Sequence, residues 1–213
     1  MRSAALALCI AGLLAAPLDA QPSARLELSL PPGERPGREP PFVRTTSVLS
    51  TRRVRELLHS GFPARLHYRL ELWSTRGWFD DLKARAEWDV IVRYSPLDRS
   101  YVVARVDGDR ATPLGTYSRL DEVEAVIGSP FQPAIRLPGG RARHYYNAVL
   151  DVEMLSVNDL DEVERWLRGE LRPAVRGERN PGTAVTRGVR TLVVTLLGAE
   201  GGHYEARTRT FRP

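Results

Sequence analysis

The sequence predicts an α+β fold: an antiparallel β-sandwich-like domain, immunoglobulin-like or a curved sheet, with short helices and a helical hairpin inserted before the last strand. Three observations predict it. Residues 64–73 and 87–94 alternate apolar and polar side chains, the period of strands with one buried face. A turn signal of Ser95, Pro96, Leu97 and Asp98 joins the second run to a third at 100–106, so neighbouring strands run antiparallel. Residues 157–168 and 183–197 instead space their apolar residues at helical intervals.

Residues 1–20 read as a signal peptide. Arg2 supplies a charge, residues 4–16 are an uncharged apolar run, Pro17 breaks it, and Ala20 offers a small residue for cleavage. The run is shorter than the roughly 20 residues that span a bilayer. The chain is therefore expected to be exported, to the periplasm or beyond the cell, with cleavage near Ala20 and no transmembrane segment in the mature chain. Cys9, the only cysteine, lies in that run. The mature chain then has no disulfide, no thiolate ligand and no cysteine nucleophile.

Residues 21–41 form an extended, proline-rich N-terminal segment. It opens with a strand at 25–30, where Leu26, Leu28 and Leu30 alternate with polar residues. Residues 42–213 form a single β-rich domain with a helical insertion at about 157–198. A second strand covers 42–49. Ser50 caps a short helix at 51–60 that turns Val54, Leu57 and Leu58 inward. Gly61 stops it, and Phe62 folds back on its last turn.

The run at 64–73 is the centre of the sheet. Leu66, Tyr68, Leu70 and Leu72 point inward, and Arg65, His67, Arg69 and Glu71 form the wet face. Gly77, Trp78, Phe79, Asp80 and Asp81 read as a turn whose aromatics fold onto the core while the acids stay in water. Trp88, Val90, Val92 and Tyr94 continue the inner face. Asp107, Gly108 and Asp109 make the next turn. Ser118, with Asp121 three residues on, caps a helix carrying Leu120, Val123, Val126 and Ile127, and Gly128 ends it. After a loop at 129–141 come a long strand at 142–155, a helix to about 168 and a connector at 169–182. Residues 183–197 are read as a helix, although their β-branched run also suits a strand. Residues 203–211 make the last strand.

The blocks SGFPARLHYRLELW, WDVIVRYSPLDRSYVV, LDVEML and DLDEVERWLRGELRPAV resemble a family of exported bacterial proteins known only as a domain of unknown function. The resemblance implies export and a β-rich, sandwich-like fold. It implies no activity, since the family has none assigned. Some relatives sharing a shorter form of the pattern are encoded beside sensor kinases of the nitrogen-regulation type.

Catalysis finds little support in the residues. No GxSxG elbow occurs, and His59, His67, His144 and His203 lie far apart on elements of different kinds. No HExxH, HxH or cysteine cluster points to a metal, and residues 158–161 lack the glycine and the final glutamate of a calcium loop. The acids there suit a helix N-terminus. Gly139 and Gly140 are not placed to cradle phosphate. No cofactor is implied.

Of 31 basic residues only Lys83 is lysine, and the net charge is +5. Positive charge favours anionic partners, and export argues against nucleic acid. The leading expectation is a non-catalytic cell-envelope module that binds another envelope protein or an anionic surface. Its candidate contacts are Arg65, His67, Arg69, Trp78 and Phe79. The alternative is a carboxylate-dependent hydrolase of cell-wall polymer, using Asp80 or Asp81 beside the aromatic turn.

Overall fold

The computed structural model describes residues 23–33, 37–76, 79–137, 142–155 and 202–213. The signal peptide, Trp78 and the helical insertion at 157–198 lie outside the described residues.

Two antiparallel sheets and two helices make up the described fold. Strand β1 (Arg25–Ser29) pairs with β2 (Phe42–Thr46) in a small sheet. The large sheet is built from β3 (Ala64–Arg76), β4 (Phe79–Ser95), β5 (Ser100–Asp107), β6 (Arg110–Tyr117), β7 (Arg143–Met154) and β8 (Gly202–Arg207). Its order is β6-β5-β4-β3-β7-β8, and every pair is antiparallel. β1 packs against β7 and β8, so the small sheet covers part of the large one, a sandwich-like arrangement. Among the described residues no helix is long and apolar enough to cross a membrane.

The predicted inner face forms the core. Leu66, Leu70, Leu72 and Val92 are fully buried, and Tyr68 stacks flat on Trp88 with ring centres 5.0 Å apart. Helix α1 (Arg52–His59) adds Val54 and Leu58 to this core, and α2 (Leu120–Ile127) adds Val123 and Ile127. The backbone N–H of Phe62 donates to Leu57 O, closing the end of α1 as the sequence predicts. Gly61 makes that closure possible by adopting φ +90°, where a side chain would be strained.

Four local expectations are corrected. Thr51, not Ser50, caps α1: its hydroxyl accepts from Val54 N at 3.3 Å, while Ser50 donates to Ser47 O. Helix α2 begins one residue later than Ser118 would place it. The Glu122 carboxylate satisfies its entry by accepting from the backbone N–H groups of Ser118 and Arg119, both at 3.2 Å. Strand β6 is not evident in the sequence, because Pro113 and Gly115 break its pattern. It survives as an edge strand, where a missing N–H costs little. Residues 79–81, expected in a turn, are strand, because β4 already starts at Phe79, paired with Arg76. That leaves Phe79 84% exposed rather than folded onto the core.

Candidate functional site

The outward face of the large sheet carries three of the five candidate contacts, and it is not the wet face that alternation predicts. Arg65 is only 5% exposed and Glu71 only 6%. Strand register explains this. Arg65 stands opposite Ile91 of β4 and Glu153 of β7, and His67 stands between Asp89 and Asp151. Long side chains on adjacent strands thus meet partners of opposite charge.

Two ion-paired groups result. In the first, the Arg65 guanidinium grips Asp89 with two bonds, Nε to Oδ1 and Nη2 to Oδ2, both 3.0 Å. Glu153 lies 3.7 Å from Nη1 of the same side chain. His67 Nδ1 sits 2.8 Å from Asp89 Oδ1, close enough to donate a proton to it. Burial alone would raise the Asp89 pKa. The hydrogen bond from His67 and the adjacent Arg65 charge outweigh it and hold the carboxyl below its usual range. In the second group, Glu71 accepts from Arg85 Nη2 at 3.1 Å and from the Trp73 indole N–H at 3.0 Å, with Arg69 Nε 3.1 Å away. Arg65 and Arg69 are therefore paired with carboxylates within the sheet, and His67 is engaged by Asp89. Farther along the same row, His203 Nδ1 lies 2.6 Å from Asp151, and that contact raises the histidine pKa.

The remaining candidates belong to the β3–β4 hairpin. Phe79 projects from its end, and Leu82 is 39% exposed behind it. Asp80 and Asp81 are consecutive in β4, so their side chains leave opposite faces of the ribbon. Asp80 accepts from the Tyr145 hydroxyl at 2.8 Å, and Arg207 stacks over the Tyr145 ring at 3.5 Å. Asp81 pairs with Lys83. Neither acid faces the other, so the pair lacks the convergence across a cleft that glycoside hydrolysis needs. Among the described residues no group of three metal-ligating side chains converges.

Sequence reasoning missed the edge of β4. Strand β5 pairs only with its second half, from Asp89 to Ser95. The outer edge of residues 79–88 has no partner strand among the described residues. The edge is also kinked. Leu72 faces Ala84 while Trp73 faces Leu82, so Lys83 bulges out of register. A signal existed in the unequal lengths of the runs flanking residues 95–99. The acids and aromatics at 78–81 masked it by resembling a loop.

A family model described as Domain of unknown function (DUF4390) matches residues 45–158. That span takes in both helices and all strands from β3 to β7, including the hairpin and both ion-paired groups. No curated protein and no solved structure matches the chain.

Proposed function

The chain belongs to the DUF4390 family, a domain of unknown function, and on that premise we propose that it is an exported, non-catalytic binding module of the cell envelope. Its partner is an extended segment of another envelope protein, which adds as a strand along residues 79–88 of β4. The carrying observation is that the outer edge of β4 over residues 79–88 has no partner strand among the described residues, with Phe79 and Leu82 exposed beside it. An edge offers a row of backbone donors and acceptors, and neighbouring apolar side chains supply the specificity.

An anionic surface is the weaker partner. The guanidiniums that would meet it on the outward face are already held by Asp89, Glu153 and Glu71. A hydrolase is weaker still, since Asp80 and Asp81 diverge.

Photo-crosslinking tests the reading. A crosslinking side chain placed at Lys83 should capture one reproducible envelope protein in cells. The double variant Phe79→Asp, Leu82→Lys should cut that yield about tenfold or more. Both positions are exposed, so the fold should stay within about 0.5 kcal/mol of the parent. Equal capture from position 109, in the β5–β6 turn, would sink the proposal.

A further inference from the structure

Strand β5 sends Tyr101, Val103 and Arg105 to the inner face, opposite Tyr94, Val92 and Val90. Two buried apolar residues are thus followed by a guanidinium at a position that alternation reserves for the core. Arg105 is half-buried, so its stem packs inward while its charged head stays within reach of water. The Arg105 side chain makes no hydrogen bond or ion pair among the described residues. Its guanidinium carbon instead lies 4.2 Å above the centre of the Phe131 ring. A stacked guanidinium keeps its N–H donors available for a planar acceptor such as a carboxylate.

Beside Arg105 lies a cavity of about 250 Å³ beneath α2, walled by Tyr68, Trp88, Val90, Leu114 and Ile127. Its floor is the Tyr68–Trp88 stack, and Phe131 meets Trp88 edge-on at 5.3 Å. Leu114 is turned toward the cavity by a second bulge. Val103 faces Gly115 while Ala104 faces Pro113, which leaves Leu114 as the extra residue. An apolar cavity of about 150 Å³ holds benzene. This one accommodates a somewhat larger body, and its aromatic walls favour a ring.

We propose that this cavity binds a small amphipathic carboxylate, its aromatic body against Trp88 and Leu114 and its carboxylate on Arg105. The site is on the inner face; it shares Trp88 with the end of the β4 edge segment, but its other walls come from β3, β5, β6 and α2, and the assignment stands whether or not that edge binds a partner. The test is a titration of the isotopically labelled full chain with 3-phenylpropionate and with the neutral 3-phenylpropan-1-ol, followed by NMR. The carboxylate should give saturable shifts at the Trp88 indole N–H and the Arg105 side chain, and should bind about tenfold or more tightly than the alcohol. Arg105→Gln should remove that advantage and leave alcohol binding unchanged. Leu114→Trp should fill the cavity and abolish both. Absence of a saturable shift at Trp88, unchanged carboxylate affinity in Arg105→Gln, or full affinity in Leu114→Trp would each overturn the assignment.

Discussion

The two faces of β3 make an instructive pair. Leu66, Tyr68, Leu70 and Leu72 are buried on one side, and Arg65 and Glu71 are buried almost as deeply on the other. The inner row gains from leaving water, and no partner has to be matched in detail. The outer row loses hydration, and only well-placed opposite charges offset that loss. The same strand thus separates a face that is stable by composition from one that is stable by register. Substitutions should reveal the difference.

The inner face should give the largest effect. Leu70 stands between Ala86 and Ala148 on the flanking strands, and neither can fill a void beside it. Leu70→Ala should cost about 4 kcal/mol, toward the upper end of measured core truncations, as read by urea unfolding. A loss below about 2 kcal/mol would mean that the inner face relaxes freely.

Next comes the outer face. Asp89→Asn leaves Arg65 buried with only the more distant Glu153, and should cost about 3 kcal/mol. The triple replacement Arg65→Met, His67→Leu, Asp89→Leu should recover most of that loss, because it removes the charges together. If Asp89→Asn alone costs less than about 1 kcal/mol, the outer row behaves as a set of surface ion pairs.

Acid should discriminate between the faces without mutation. The Asp89 pKa is lowered in the folded chain, so its contribution is present above the unfolded carboxyl value of about 3.9 and is lost as pH falls through the folded value. Unfolding midpoints should therefore drop below about pH 4. Asp89→Asn should flatten that drop, and Leu70→Ala should leave its shape unchanged.

The smallest effect belongs to His203, which is 58% exposed at its side chain. Its raised pKa means the Asp151 contact stabilises fully below the unfolded value of about 6.5 and fades as pH rises through the folded one. His203→Gln should change stability by no more than about 0.5 kcal/mol, because solvent screens the pair. NMR titration of the His203 ring should place its midpoint above that of a free histidine.

The inner face was legible because a period of two is a local property: Leu66 and Leu72 declare their side within one strand. What the pattern cannot report is whether the opposite side is wet. That depends on Asp89 and Glu153, which are distant in sequence and become neighbours of Arg65 only through the pairing of β3 with β4 and β7. Arg65, His67 and Arg69 look like exposed cations in the sequence, and strand pairing engages them in the fold. Phe79 looks like a core aromatic in the sequence, although its place at the start of β4 leaves it outside. Arg105 was visible as a charge following Tyr101 and Val103 at the same parity. Its setting depends on Phe131 and the cavity under α2, which are remote in sequence.

The bulge at Lys83 has a consequence for how the molecule coexists with its own copies. An open strand edge that welcomes a partner would also accept the same edge of a second chain, and rows of such contacts grow into insoluble fibres. Lys83 is the chain's sole lysine, and it sits where the strand is kinked out of register. Two copies meeting edge to edge would have to align backbones that are both kinked at the same point. A foreign segment without such a kink would meet only one of them, so the bulge would let the edge tell a stranger from itself.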